Sequence, residues 1–243
     1  MTDQARVGLR AALQTPETKS RYVRRLFATI ADRYDLITVV LSYGLDRRWK
    51  ERVAALSGVT QTTRALDLAC GTGDIAYALA ARGAHVVGLD ITFRMLQLAA
   101  AKRSRAPAHP RFLAGDMMAL PIASNSMDVV TSGYGIRNVP AVAPALAEIA
   151  RVLKPHGTFV ALDFNRPANP LIRAVYLGYL TVIGSLLGFI LHRDPDTYRY
   201  IPESIRRYPG ADAISALARA HGFRTCAHFP VLGGLMAIHH ARK

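Results

Sequence analysis

The chain has 243 residues, enough for one large α/β domain or for one domain with a small insertion. Just over half of it, 51%, is hydrophobic, which excludes a disordered chain, and two cysteines far apart, Cys70 and Cys226, exclude a disulfide scaffold and fit a reduced, cytoplasmic setting. A formal net charge of +14 points to an anionic partner, such as nucleic acid, an acidic membrane surface or an anionic substrate, or is simply the balance of a basic protein.

Residues 1–63 read as a helical lead-in carrying Arg21, Arg24 and Arg25; its first residues, with Asp3, Arg6, Arg10 and Glu17 and no apolar stretch, do not read as a secretory signal. From there short apolar runs alternate with helical patterns. Arg64–Leu68 is a strand leading into glycines, and Thr72–Arg82 places Ile75, Ala76, Leu79 and Ala80 at helical spacing. His85–Leu89 is a strand stopping at Asp90, Met95 to Ala100 a helix, Arg111–Ala114 a short strand ending at Gly115-Asp116, and Met127–Ser132 a strand. Val142–Leu153 predicts a helix closed by the stop signal Lys154-Pro155-His156-Gly157, and Thr158–Phe164 a strand. Residues 166–210 form a helical insertion, followed by a helix over Ala213–Ala220 and two closing strands, Phe223–Phe229 and Leu235–His239.

Strand and helix alternating at this pace predict a Rossmann-like α/β fold: a seven-stranded, mostly parallel sheet with helices on both faces. Residues 64–243 would form the main domain, with 1–63 as a helical cap and 166–210 as a helical lid before the last two strands. Ala174–Leu191 has no charged residue over eighteen positions, the lower limit of a membrane span; a buried or lid helix pair touching an apolar substrate or a membrane surface is the preferred reading.

In such a sheet ligands bind at the carboxyl ends of the strands. There the sequence places Asp67-Leu68-Ala69-Cys70-Gly71-Thr72-Gly73, with Asp74 in the first turn of the following helix, where an acid suits the helix dipole. Gly71, Gly73 and Ala76 also fit a dinucleotide fingerprint, and Asp90, with Ile91 beside it, stands where a ribose-binding acid belongs for either cofactor. Two features favour S-adenosylmethionine. Asp67 precedes the glycines, where a pyrophosphate would be repelled but an ammonium and a sulfonium are welcome. Asp116, with Met117 after it, ends the third strand, where it could accept a hydrogen bond from an adenine amino group. Against this, Asp67 and Asp116 could be cap or turn residues alone.

The fourth strand runs into Gly133-Tyr134-Gly135-Ile136-Arg137-Asn138-Val139-Pro140, without the Asn/Asp-Pro-Pro-aromatic motif of enzymes that methylate exocyclic amino groups. This stretch, with Arg33-Tyr34-Asp35, Leu41-Ser42-Tyr43-Gly44, Arg48-Trp49-Lys50, Leu66–Asp74, Ala119-Leu120-Pro121, Arg151–Pro155, Phe164–Pro167 and above all Asp196–Arg206, resembles the ubiquinone/menaquinone biosynthesis C-methyltransferases over roughly residues 20–240. The resemblance implies methylation of a ring carbon on a polyprenylated quinol, demethylmenaquinol or a ubiquinol precursor, with cofactor contacts at Thr72, Asp90 and the Asp116-Met117 pair. A family serine is Gly133 here, a family Asn-Asp pair is Thr38-Val39, and the family's Gly-Ile-His-Arg is Gly44-Leu45-Asp46-Arg47.

Carbon attacks a sulfonium methyl in line, so alignment, desolvation and an electron-rich ring are what the protein must supply. Arg137 is expected to stabilise a phenolate and Asn138 to orient it; the other reading of Arg137 is that it pairs with an acid and holds its loop. Tyr134 either flanks the methyl group or packs, and Tyr43, Tyr198 and Arg199 are assigned to substrate. Arg206 is read as pairing with an acid of the insertion. The eight histidines form no metal set, so no metal is expected. The expected partners are the quinol and an anionic membrane surface on the cytoplasmic side, with no nucleic acid and with a homodimer left open. Rival readings are a methyltransferase for another small aromatic or lipid acceptor, a non-catalytic cofactor-binding scaffold in a membrane complex, an RNA-modifying enzyme and a nicotinamide oxidoreductase.

Overall fold

The computed structural model describes residues 9–105 and 109–243; Asp3, Arg6 and the side chain of Arg10, named above, lie outside the described part. Helices α1 (Leu9–Ala12), α2 (Pro16–Ile30), α3 (Tyr34–Leu41) and α4 (Asp46–Leu56) lead into strand β1 (Arg64–Leu68). Then come α5 (Asp74–Ala80), β2 (His85–Asp90), α6 (Phe93–Ala101), β3 (Arg111–Ala114), β4 (Met127–Gly133), α7 (Val142–Val152) and β5 (Leu153–Phe164). Helices α8 (Pro170–His192), α9 (Tyr200–Arg207) and α10 (Ala211–Ala220) precede β6 (Thr225–Val231) and β7 (Met236–Arg242).

The seven strands lie in the order β3-β2-β1-β4-β5-β7-β6, and β7 alone runs antiparallel to its neighbours. The order reverses between β1 and β4, which pair directly, so their carboxyl ends open the crevice in which this architecture binds ligands. Apolar residues cover both faces of the sheet, as a two-sided parallel sheet demands. One face packs Leu66, Leu68 and Val130 against Leu146 and Ile149 of α7; the other packs Ala65, Val160 and Ile238 against Leu79 of α5 and Trp49 and Val53 of α4. The last helix of the lead-in is therefore a layer of the main core. A third cluster joins Val23, Leu26 and Ile30 of α2 and Ile37 of α3 to Tyr198 and Tyr200, and so roofs the insertion and the lead-in together.

Three local expectations are corrected. The stop signal after α7 ends the helix, but its residues enter β5: Leu153 pairs with Met127 and Thr158 with Val129, a bulge that His156 enables at φ 65°. The helix after the glycine loop starts at Asp74 rather than Thr72, because Gly71 (φ 53°) and Gly73 (φ 86°) are left-handed. The apolar run of the insertion is one unbroken helix of 23 residues, not a pair within itself; Asn169 caps its start with Oδ1 accepting from the Leu171 and Ile172 amides.

Candidate active site

The glycine loop leaves β1 and bends under β2. Its turn is pinned from the next strand: Asp90 Oδ2 accepts from the Gly71 amide at 2.9 Å and Oδ1 from the Thr92 amide at 2.7 Å. Burial pushes the Asp90 carboxyl up while these amides pull it back. Gly73 is a packing requirement, since a Cβ there would meet the Phe112 ring at 3.0 Å in a backbone conformation side chains avoid. Thr72 Oγ1 donates to Asp35 Oδ1 at 2.6 Å, tying the loop to α3.

Asp67 sits at the mouth of β1 and is 1% exposed. Its Oδ1 accepts from Thr131 Oγ1 at 2.8 Å, and its Oδ2 has no hydrogen-bond partner. Burial raises its pKa to about 7, against the pull of Thr131, the Ala76 amide and the Lys50 charge. The Ala76 amide relieves the charge without meeting Oδ2 in hydrogen-bond geometry. A buried carboxylate oxygen left open in this way calls for a cationic group from outside the chain.

Two cavities meet above the strand ends. The first, of about 710 Å³ counted to its solvent mouth, is lined by Gly71, Leu89, Asp90, Ile91, Met95, Asp116, Met117, Gly133 and Gly135. A recess of about 290 Å³ branches from it past Tyr34, Ala69 and Gly71 and holds Lys50, Asp67, Thr72 and Asp74. Gly135 is needed where the chain leaves β4: a Cβ there would stand 2.5 Å from Ser132 Oγ and 2.7 Å from the Ala69 methyl. The second cavity, of about 630 Å³, is apolar, with walls from Leu26, Ile30, Ile37, Trp49, Phe164, Tyr198, Tyr200 and Met236. Phe27, Tyr34, Tyr134 and Asn138 line both cavities and form the partition.

Tyr134 adopts φ 59°, which turns its hydroxyl to Asp46 Oδ1 at 2.7 Å. Asn138 Nδ2 donates to the Tyr134 carbonyl at 2.7 Å and its Oδ1 accepts from the Tyr200 hydroxyl at 3.0 Å, so its amide is committed to holding the partition. Arg137 lines the apolar cavity and is 5% exposed, with Nε donating to Asp163 Oδ1 at 3.1 Å, a terminal nitrogen donating to Ser204 Oγ and the guanidinium stacked 5.0 Å from the Phe164 ring centre. Its charge is matched by a buried acid, the loop-holding one of its two readings.

Among the residues expected at the site, Asp67, Gly71, Thr72, Asp90, Ile91, Asp116, Met117 and Gly133 surround the first cavity and its recess, and Tyr134, Arg137, Asn138 and Tyr198 border the second. Asp116 Oδ1 is held by the Met118 amide at 2.9 Å. Two assignments to substrate are corrected: Arg199 stands outside both cavities in an exposed pair with Asp196, and Tyr43 is 59% exposed, stacking on Tyr179 at 6.1 Å. Gly73 does not line the cofactor cavity. Arg206 pairs with Glu203. Among the described residues no cluster of His, Cys, Asp and Glu could hold a metal ion.

Several site residues were not anticipated. Phe27 and Tyr34 arrive from the lead-in, which carries no periodicity that would aim them at strand ends 30 or more residues away. Lys19 of α2 donates to the carbonyls of Arg137 and Val139, and burial lowers its pKa to about 8. Asp163 did carry a signal: like Asp67 and Asp90 it is an acid at the carboxyl end of a strand.

Residues 15–243 match the model of the ubiE/COQ5 methyltransferase family. The chain is 37% identical over 237 residues to a ubiquinone/menaquinone biosynthesis C-methyltransferase of Azotobacter vinelandii, covering 94% of this chain and 92% of that one. It is 39% identical over 217 residues to a demethylmenaquinone methyltransferase of Thermus thermophilus, covering 88% and 98%. Among solved structures, a SAM-dependent methyltransferase of Thermotoga maritima superposes with TM-score 0.62 at 16% identity, over 90% of this chain and 99% of that one. One from Aquifex aeolicus gives 0.57 at 15% identity, over 79% and 88%. At these identities the superpositions speak for the fold.

Proposed function

The chain belongs to the ubiE/COQ5 methyltransferase family, and on that premise we propose that it moves the methyl group of S-adenosylmethionine to a ring carbon of a polyprenylated quinol. The observation that carries this reading is the shared partition. The first cavity, whose recess holds the open carboxylate oxygen of Asp67, and the apolar second cavity share Phe27, Tyr34, Tyr134 and Asn138 as their partition, the last two supplied from the turn after β4. A methyl group at that partition faces an acceptor ring in the apolar cavity.

The residues present fit the cofactor. Asp67 Oδ2 would take its ammonium, Asp90 its ribose hydroxyls, and Asp116 and Met117 its adenine, with Gly71, Gly133 and Gly135 leaving room along the backbone. Bound there, it supplies a methyl group activated on a positively charged sulfur. The chain's own part is to align and to keep dry. Leu26, Ile37, Trp49 and Met236 exclude water from the ring, and the Arg137–Asp163 pair, gripped by Ser204 of α9, fixes the partition.

The tail of such a substrate resides in a bilayer, and the outer face of the protein suits one. On α8, Leu171, Val175, Val182, Leu186, Phe189 and Ile190 are exposed, and Leu36, Val39, Val40 and Tyr43 continue the patch on and beside α3 through the Tyr43–Tyr179 stack. By length and mean hydropathy (2.0) α8 could cross a membrane, but its other face packs on the protein, with Gly184 and Gly188 against the segment Asp194–Tyr198. The reading is therefore a helix lying on the cytoplasmic membrane surface, aided by exposed Arg21, Arg24 and Arg25 of α2 at about 1 kcal/mol per well-placed charge.

The deciding test is transfer of label from S-adenosylmethionine to reduced demethylmenaquinone and, in parallel, to a reduced demethylated ubiquinone precursor. A labelled ring carbon on either is the expected result. Tight cofactor binding with no transfer to either would overturn the quinol and leave another aromatic or lipid acceptor, with Thr38-Val39 and Asp46 as the residues to examine.

A further inference from the structure

Methylation of a ring carbon releases one proton per turnover, and the apolar cavity has few groups to take it. Arg137 is a permanent cation, and the Asn138 amide does not titrate and is fully engaged. Tyr134 differs. It lies on the partition where the methyl group would cross, and its hydroxyl donates to Asp46 Oδ1 at 2.7 Å. Asp46 Oδ2 meets Lys50 Nζ at 2.6 Å, Lys50 meets Asp74 Oδ2 at 2.9 Å, Asp74 Oδ1 meets Lys102 at 2.8 Å, and Lys102 meets Asp35 at 2.9 Å. Exposure of the side chains rises along this chain from 6% at Asp46 and 8% at Lys50 to 35% at Lys102 and 50% at Asp35. It runs from the partition to solvent beside α3, where Asp35 is its last member.

A buried acid and lysine of this kind cost desolvation and add little net stability over an apolar pair. We propose that Tyr134 and Asp46 are the acceptor of the ring proton, Tyr134 as the catalytic residue and Asp46 as the base behind it. The inference rests on the methyl-transfer reading above.

The step balances within the chain. The ring carbon forms its bond to the methyl carbon as the methyl–sulfur bond breaks and its electron pair passes to sulfur. The ring, now a protonated dienone with one tetrahedral carbon bearing hydrogen and methyl, loses that hydrogen as a proton to Tyr134 Oη. Tyr134 gives its own proton to Asp46 Oδ1, and the C–H pair restores the aromatic ring. Because the proton on such a carbon is strongly acidic, a carboxylate paired with Lys50 is basic enough. Asp74, held near pKa 2 against burial by Lys50 and Lys102, keeps the outer part of the chain ionised as Asp46 returns its proton to water.

Three other tyrosine hydroxyls belong to residues lining the apolar cavity: Tyr34, which also stands on the partition, Tyr200, which donates to Asn138 Oδ1 at 3.0 Å, and Tyr198. Tyr198 lines the apolar cavity and meets His192 Nε2 at 2.8 Å, but it does not touch the partition. The experiment compares wild type, Tyr134→Phe, Asp46→Asn, Tyr34→Phe and Tyr198→Phe on reduced demethylmenaquinone carrying hydrogen or deuterium at the methylated carbon, with cofactor affinity measured by calorimetry. The expected result is no ring-deuterium effect in the wild type, where methyl transfer limits. Tyr134→Phe and Asp46→Asn should lose about 10²-fold or more in kcat, acquire a normal primary deuterium effect, and keep wild-type cofactor affinity. Full activity in Tyr134→Phe, a loss without the deuterium effect, or that effect in Tyr34→Phe or Tyr198→Phe instead would overturn the proposal. A wild type that binds cofactor yet labels no ring overturns the quinol reading and the relay with it, whereas active wild type with silent variants sinks the relay alone.

Discussion

Arg137 Nε and Asp163 Oδ1 face each other at 3.1 Å with side-chain exposures of 4% and 2%, joining the turn after β4 to the end of β5 beneath α9. Burial pushes the Asp163 carboxyl up, and the guanidinium together with the amides of Arg137 and Phe164 draws it down. Removing one partner strands the other in the core. Arg137→Met should therefore lower unfolding free energy by roughly 3–5 kcal/mol, read as a fall in the denaturation midpoint, and Asp163→Asn by a comparable amount, because it leaves the Arg137 charge unpaired and turns an NH2 toward donors that both carboxylate oxygens accept from. An Arg137→Met protein of unchanged midpoint that merely loses turnover would instead make Arg137 a free catalytic cation.

With Asp67 holding the cofactor ammonium as proposed, cofactor affinity is expected to depend on pH. The folded Asp67 pKa of about 7 lies above the usual 3.8, so in the free protein its contribution to stability is complete below pH 3.8 and is lost as pH rises through 7. A cationic ligand reverses the preference, because it binds the ionised form. Affinity for S-adenosylhomocysteine, which shares the ammonium, should fall below pH 7 by up to about tenfold per pH unit, as one linked proton requires. In Asp67→Asn it should be weak and flat across the same range. Titration calorimetry between pH 5 and 7 checks both, and a flat wild-type profile would remove Asp67 from cofactor binding.

Gly135→Ala tests the cradle. The backbone there is at φ −93°, so alanine is conformationally acceptable, but its methyl meets Ser132 Oγ and Ala69 in a packed wall. The expected outcome is a cost of about 1–3 kcal/mol in stability from overpacking and a much weaker cofactor complex, since the relief is into the first cavity. Unchanged affinity would place the cofactor elsewhere.

The membrane reading predicts co-sedimentation with vesicles containing anionic lipid. Replacing Val182 and Phe189 on the exposed face of α8 with aspartate should abolish it while leaving the thermal midpoint in place, because both are more than 60% exposed. Activity on a short-tailed, detergent-dispersed quinol should survive the change, whereas activity on long-tailed quinol in vesicles should not. A wild type that stays in the supernatant at low salt would overturn the reading.

Much of the cofactor side was legible in the chain because it is local. Asp67, Asp90 and Asp116 each end a short apolar run, glycines follow the first, and strand alternation places such ends together whatever fills the rest of the sheet. The boundaries that moved did so for local reasons that patterning does not carry: left-handed Gly71 and Gly73 delay α5, and a bulge at His156 lengthens β5. The acceptor side was legible only through family resemblance, and there two of its assignments, Tyr43 and Arg199, landed on the surface.

The sequence by itself determined the strand and helix succession, the ligand end of the sheet and the acids that line its crevice, since each depends on periodicity and on neighbours in the chain. Tertiary structure alone decided what faces the acceptor. Its cavity is assembled from Leu26, Ile37, Trp49, Tyr134, Phe164, Tyr198 and Met236, spread over most of the chain, and Arg137 finds Asp163 and Tyr134 finds Asp46 across 26 and 88 positions. Contacts at such separations arise from how α2, α3, α4 and α8–α9 pack over the strand ends, and burial then dictates which charge must be paired and which hydroxyl is turned inward.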